Sequence, residues 1–317
     1  MTDLRNRLTD AALAAWAAAA PQLGRDPRLA RTRVLAARRE ARGGRIAMLI
    51  SGDDGQGDLI LKLRLGGKQD ITGPASRAYA GAGAALSGHP GLAVPRLVLA
   101  LPDHQALILS HCPGLDARSL LSDSTDPADH LHVMQAAGAW LGALHRGGAA
   151  APAPFDPAPA LRRLIRKARQ APPPRPDAFA ALLARIKDLA PQVQGRPLPQ
   201  AIIHGDMTLG NLLIAPGCTT GIDLENDSPA PVARDLAMLL VDHNVWFGPQ
   251  PAALSAFWQA YGTDLRDDPA LRFFIALRLA RLWQEMPPDP ERDTPRRAHV
   301  WAGLQSICAR LAADGSS

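Results

Sequence analysis

From residue 31 to 65 the apolar positions come in short runs separated by turn chemistry: "TRVLAARRE", "ARGG", "RIAMLIS", "GDDGQGD" and "LILKLRL". Runs of this length, bounded by Gly and Asp, predict three antiparallel strands joined by hairpins. In the third, a period of two places Lys62 on the face of Ile60 and Arg64, opposite Leu59, Leu61 and Leu63. Upstream, residues 3 to 20 are Ala-rich and stop before Pro21, which predicts an accessory N-terminal helix. Downstream, "GPASRAYAGAGAALSG" predicts a helix with Pro74 in its first turn. Its Gly-Ala-Gly has no third glycine in place and no strand leading into it, so it is not a dinucleotide fingerprint. "VPRLVLAL" and "QALILSHC" predict two further strands around a turn at "PDHQ".

After "SHCPGLD" the period changes to helical. Helices are predicted over residues 116 to 122 and through "ADHLHVMQAAGAWLGALHRGG". A Pro/Ala-rich loop, "AAAPAPFDPAP", and a break, "QAPPPRP", flank the basic helix "ALRRLIRKARQ", and the segment to 190 is again helical. "AIIHGDMTLGNLLI" is a polar loop pinned between two strand-like runs. "NLLIAP" and "TTGIDLE" then predict a hairpin, and the chain from 233 onward reads as helix and loop. The result is an α+β chain in three parts: an extension over 1–30, a small sheet with one helix over 31–110, and a mainly helical part over 111–317.

Composition narrows this only where it excludes something. With 317 residues, 47% of them hydrophobic, the chain can bury a core large enough for two lobes. No uncharged run reaches the roughly 18 residues that span a bilayer, and the N-terminus lacks the build of a secretory signal, so a cytoplasmic protein without membrane association is expected. Cys112, Cys218 and Cys308 are never at the spacing of zinc ligands or redox pairs. The net charge of +5 raises nucleic acid as a partner, but the Arg-rich stretches carry no interleaved aromatics or RNA-binding signature, which argues against it. The charge is uneven: residues 223–317 sum to −4 and the first 222 to +9. The two halves therefore meet different partners, or one of them meets phosphate.

Asp206 and Asn211 place a carboxylate and an amide oxygen on one short loop, and "GIDLEN" adds Asp223 and Glu225 from the hairpin just downstream. Hard oxygen donors on short connections suit magnesium and phosphate chemistry. Phosphoryl transfer is the hypothesis that follows.

"HGDMTLGN" followed by "GIDLEN" and "ARDLAMLL" resembles the aminoglycoside phosphotransferase and choline kinase group, relatives of the protein kinase fold. The resemblance runs from Lys62 through "LILSHCPGLD" to about Leu240. It implies a two-lobed kinase-like fold, with a small antiparallel-sheet lobe over the nucleotide and a helical lobe carrying the catalytic loop and acceptor site. It further implies ATP and magnesium as the nucleotide and metal, and a small-molecule acceptor. Asp206 would then be the catalytic acid-base group, His204 a brace for its loop, and Asn211 and Asp223 the magnesium ligands. Lys62 would contact the α- and β-phosphates, and Ser110, His111 and Cys112 would form the hinge beside the nucleotide. Asp235 would tie loops together, and Glu225 would reach a metal-bound water or the substrate, or face solvent.

Two departures stand out. Kinases hold this lysine with a Glu from the next helix, but no Glu occurs between Ala41 and Leu224; Asp70, Glu40, or the phosphate and magnesium ligands alone would have to serve. A Gly-rich loop is also missing: Gly43 and Gly44 in "EARGGR" either let the backbone approach phosphates or simply turn a hairpin. These departures motivate a rival reading, a non-catalytic nucleotide-binding regulatory protein. An unrelated metal-dependent hydrolase lacks a His-rich ligand set. A protein kinase is disfavoured because "SPAPVA" leads straight from the hairpin into a helix, with no activation loop. For the acceptor, nine of the 14 aromatics lie from Trp246 onward in the acidic region, which suits an amine, amino sugar or aminoglycoside; an amino alcohol and a plain sugar stand beside these. The spacing of Phe257, Trp258, Tyr261, Phe273, Phe274 and Leu277 also fits a helical core, which is the favoured reading for most of them.

Overall fold

Alternation along "LILKLRL" sorts the first lobe into an inside and an outside. The computed structural model describes residues 2–40, 43–52, 57–66, 70–224 and 226–314. α1 (Thr2–Ala19) precedes β1 (Arg31–Glu40), β2 (Gly43–Ser51) and β3 (Leu59–Leu65), which pair antiparallel in sequence. α2 (Thr72–Leu86), the two-residue β4 (Leu92–Ala93), β5 (Leu97–Leu101) and β6 (Ala106–Ser110) follow, and the sheet order is β1-β2-β3-β6-β5. Leu59, Leu61 and Leu63 are buried together with Ile46, Met48, Ile50 and Ile108. What covers them is α1, through Leu8, Ala12, Ala15 and Trp16. The predicted accessory helix is therefore half of this core, where each fully buried large aliphatic side chain is worth ~1.5–3 kcal/mol. Lys62 emerges on the opposite face of β3, as the period of two requires.

That opposite face belongs to a second, larger core. Ala78, Tyr79, Ala82 and Leu86 of α2 and Leu109 of β6 are buried with the helices that follow. These are α3 (Ala117–Ser122), after β7 (Leu115–Asp116), and α4 (Pro127–Gly147). Next come β8 (Ala149–Pro154), α5 (Ala158–Gln170), α6 (Pro176–Val193), β9 (Pro197–Ile202), β10 (Leu212–Ala215), β11 (Cys218–Gly221) and β12 (Pro229–Pro231). α7 (Ala233–Phe247), α8 (Pro251–Tyr261), α9 (Pro269–Trp283) and α10 (Pro295–Asp314) complete the lobe. Phe257, Trp258, Tyr261, Phe273 and Phe274 all lie in this core, so the helical-spacing reading of those aromatics holds. No helix among the described residues is long and apolar enough to cross a membrane.

Two small sheets position the candidate loop. The predicted hairpin forms as β10 and β11, and it is widened by β7 on one side and β4 on the other, in the order β4-β11-β10-β7. The other, β12-β9-β8, corrects the expected loop at "AAAPAPFDPAP": its first half is an edge strand. Proline is tolerated there because an edge strand leaves some N–H groups unpaired, and the register slips between Ala150 and Ala153, around Pro152.

Candidate active site

β9 ends at Ile202, and the chain then turns through His204, Gly205 and Asp206. What holds the turn is Asp235, in the first turn of α7. Its two carboxylate oxygens accept from His204 N at 2.6 Å and Gly205 N at 2.9 Å. Gly205 adopts φ 88°, a conformation that favours glycine, and this lets both N–H groups point at one carboxylate. Asp235 is fully buried, and His145 Nε2 lies 3.4 Å from its Oδ2. The other His145 nitrogen, Nδ1, is 3.0 Å from the Tyr261 hydroxyl. His145 thus stands between the Asp235 carboxylate and the Tyr261 hydroxyl, within reach of both. Burial works against the charge on Asp235, but the hydrogen bond of His145, the favourable electrostatics of His145 and His204 and the Gly205 N–H together hold its carboxyl below the ordinary range.

His204 is placed as a brace. Its Nε2 lies 2.7 Å from the Ile222 carbonyl, which can only accept, and its Nδ1 lies 3.3 Å from the Asp206 N–H, which can only donate. These partners fix the tautomer with the proton on Nε2. The ring thus fastens the loop of Asp206 to the residue before Asp223. Trp140 packs its edge on the imidazole, with centroids 5.9 Å apart, and bonds Ala93 O through Nε1 at 2.8 Å.

Asn211 closes the loop: its Nδ2 donates to Asp206 O at 2.8 Å and sits 3.4 Å from Asp206 Oδ2. With the nitrogen engaged, the amide oxygen is the atom left to take a cation. Ile222 N bonds Asn211 O at 2.9 Å, so Asp206, Asn211 and Asp223 stand on one bonded unit. The sequence analysis missed a further support: Asp242 accepts from Leu209 N at 2.9 Å and from the Arg118 guanidinium at 2.9 and 3.0 Å. Asp242 sits two helical turns beyond Asp235. The seven-residue spacing that puts both acids on one face of α7 is the only signal the sequence carried for it.

Asp223 follows β11 with φ 62°, left-handed and strained for a residue with a Cβ. Its carboxylate forms an ion pair with Lys62. Asp70, one of the expected holders of Lys62, is not its partner: it caps α2 instead, accepting from Thr72 N at 2.8 Å, Thr72 Oγ1 at 2.6 Å and Gly73 N at 3.3 Å. The lysine pairs with a candidate metal ligand. Burial, with Arg45 nearby, pulls the Lys62 ammonium down to about 8, while Cys112 favours its charge. Glu225 and the side chain of Glu40 lie outside the described residues.

The strand geometry accounts for Gly43 and Gly44. A Cβ on Gly43 would fall 1.9 Å from Leu65 O, and one on Gly44 would fall 2.8 Å from Arg38 O. Both glycines are thus required by close backbone approach within the β1-β2-β3 ladder, whether or not a phosphate is near. At the expected hinge, Ser110 N bonds Arg96 O at 2.9 Å, and Ser110 Oγ accepts from Arg96 N at 2.9 Å. His111 N bonds Asp58 O at 3.0 Å and its side chain is exposed. Cys112 is half-buried, with its thiol pushed up by burial and within charge range of Lys62. Lys62, Cys112 and Asp223 therefore share the cleft beneath the sheet.

The donors suit a metal shared with a ligand. Among the described residues no three His, Cys, Asp or Glu stand together as a metal site. The Asp223 carboxylate and the Asn211 amide oxygen are what the protein offers. Such a pair cannot cage an ion alone, but it fits magnesium completed by phosphate oxygens and water.

A small antiparallel sheet over a helical lobe, with two acids and an amide on bonded loops between them, defines a phosphotransferase of the two-lobed, protein-kinase-like class. Residues 37–274 match the sequence profile of the Phosphotransferase enzyme family, and the chain belongs to that family. Among solved structures it is similar to a choline/ethanolamine kinase family protein from Mesorhizobium loti, with 18% identity, 96% of this chain and 94% of that chain covered, and a TM-score of 0.61. It is also similar to an amicoumacin kinase in complex with AMP-PNP, Ca2+ and Ami (15% identity, 90% and 89% covered, TM-score 0.57). An aminoglycoside-3'-phosphotransferase of type VIII gives 21% identity, with 83% and 98% covered and a TM-score of 0.53. A comparison with curated protein sequences finds no match. Family membership favours the enzyme over the non-catalytic alternative.

Proposed function

We propose that the chain transfers the γ-phosphate of ATP, with magnesium, to a hydroxyl of a small molecule. The observation that carries this reading is the bonded unit in which His204 links the Asp206 loop to Ile222, next to Asp223 and its partner Lys62. Asp206 takes or orients the acceptor proton, its backbone and carboxylate held by His204 and Asn211. Lys62 offers a positive charge to the phosphates, and Asp223 and Asn211 hold the cation. When bound, the magnesium ion neutralises charge on the phosphates. Amino sugars, aminoglycosides, amino alcohols and sugars are the acceptor candidates from sequence. The buried aromatics of α8 and α9 lend no cation-binding wall to the amines.

The test is an ADP-release screen over these acceptor classes, run with the Asp206→Asn variant. The variant should bind magnesium-ATP as the parent does while turnover falls by about 10²–10⁴-fold, the usual contribution of a general base. Equal turnover in variant and parent would overturn the role of Asp206. A parent that binds nucleotide and turns over no acceptor would overturn the kinase reading.

A further inference from the structure

The acids around the loop are paired with bases or backbone N–H groups; among the described residues, the arginines beside it are not paired with acids. Arg234, the neighbour of Asp235 at the start of α7, donates through Nη2 to Gly205 O at 3.2 Å, one residue before Asp206. α9 packs along α7 and carries Arg278 and Arg281, three positions apart and therefore on one face. Gln284 Nε2 ties α9 to α5 through Leu164 O at 2.8 Å, next to Arg163. Burial and the charges of Arg234, Arg163 and Arg278, in that order, hold the Arg281 guanidinium below its ordinary range, with Glu285 opposing them. The four arginines thus share one neighbourhood, contributed by three helices.

Glu285 offsets part of the charge on Arg281 without forming an ion pair with it. Among the described residues, no ion pair joins Arg163, Arg234, Arg278 or Arg281 to a carboxylate. Arg278 Nε is buried with no hydrogen-bond partner among them. An unpaired buried donor on a cation, among three like charges, is costly unless something accepts from it. Guanidinium forks match carboxylate and phosphate in shape and charge. From there α5 continues the charge outward through exposed Arg162, Arg166, Lys167 and Arg169. By contrast, Asp264, Asp267 and Asp293 are already paired with Arg266, Arg272 and Arg297. A cation approaching from this side would meet arginine.

We propose that Arg234, Arg278 and Arg281, with Arg163 at the rim, form the acceptor-recognition subsite, and that the acceptor is a hydroxyl compound bearing a carboxylate or phosphate. The proposal rests on the reading of Asp206 as the group facing the acceptor hydroxyl. In the step, the acceptor oxygen forms a bond to the γ-phosphorus as the bond to the bridging oxygen of ADP breaks. The hydroxyl proton passes to Asp206, and ADP leaves. The arginines touch only the remote anionic group.

The experiment uses the full chain. Calorimetry with MgAMP-PNP comes first: absence of binding removes the kinase reading, and this proposal with it. Inorganic phosphate and, separately, malonate are then titrated into the MgAMP-PNP complex. At least one anion should bind, and the stronger of the two tells phosphate from carboxylate recognition. Arg278→Gln/Arg281→Gln should weaken that anion about tenfold or more with MgAMP-PNP affinity unchanged, which also reports an intact fold. Lysine at both positions should restore part of it. In turnover, gluconate and glucose 6-phosphate should exceed glucose and glucosamine in kcat/KM, with the glutamine variant raising KM for the anionic acceptor and leaving kcat. If neither this panel nor the earlier acceptor classes are turned over, the kinase reading falls and the acceptor role of the arginines with it, even where an anion still binds. The proposal falls if neither anion binds the loaded parent, if the variant binds the anion unchanged, if glucosamine is the better acceptor, or if the variant loses nucleotide affinity in equal measure.

Discussion

Between His204 and Leu209, four backbone N–H groups donate to side chains of the helical lobe, whereas Lys62 and Asp223 meet across the lobes through a single ion pair. The acids that hold the loop are buried, Asp235 at 0% and Asp242 at 9% exposure, while the Asp223 side chain is half exposed. Under the proposed function, the contrast separates two tasks. A group that takes a proton in line with a bond-forming oxygen gains from fixed geometry. A carboxylate and an ammonium that receive a cation and phosphates must exchange their mutual contact for new ones.

The sharpest way to break this contrast is at its rigid end. Asp235→Ala leaves the N–H groups of His204 and Gly205 buried without their acceptor, and about 3 kcal/mol of stability should be lost in denaturant unfolding. Because the folded carboxyl lies below its ordinary value, its contribution is complete above about pH 4 and is lost as pH falls through the folded value. The difference between parent and variant should therefore narrow in acid. At the adaptable end, Asp223→Ala should lower magnesium-nucleotide affinity about tenfold, the worth of one charged hydrogen bond. Its unfolding midpoint should hardly move, since among the described residues no backbone N–H donates to this carboxylate. Calorimetry with and without magnesium checks the first point, and a thermal melt the second.

Two smaller effects sharpen the account of Lys62. With its ammonium at about 8 in the free enzyme, rising pH removes the proton that the phosphates need. Nucleotide affinity should weaken above about pH 8, and Lys62→Arg should flatten that profile because arginine stays charged. Asp70→Ala is the control: it uncaps α2, lowering the melting temperature slightly, and leaves nucleotide affinity as it was.

Much of this was legible where one stretch of chain decides the outcome. The face of Lys62 follows from period two, and the hairpin bearing Asp223 from two apolar runs and a Gly turn. "HGDMTLGN" compresses an acid, a brace and an amide into eight residues. What stayed hidden depends on partners far apart in sequence. Asp242 resembles any helical acid until Leu209 and Arg118 are brought to it. His145 has no meaning without Asp235 and Tyr261, and Lys62 finds its acid 161 residues away. β8 escaped because its composition is that of a linker, and only its neighbour β9 makes it a strand. The arginines around Arg281 come from three helices, each of which reads alone as a solvated face.

One contact bears on how this sequence can change over time. A Cβ on Gly221 would lie 2.2 Å from Trp140 Cζ2, inside the indole, and that same indole rests on His204 and bonds Ala93 O. Neither residue can drift alone. Alanine at 221 requires a smaller ring at 140, and a smaller ring leaves a gap beneath His204. Descendants of this chain that keep the tryptophan should keep the glycine, and lineages that lose one should have lost both, so the two positions would be inherited as a pair.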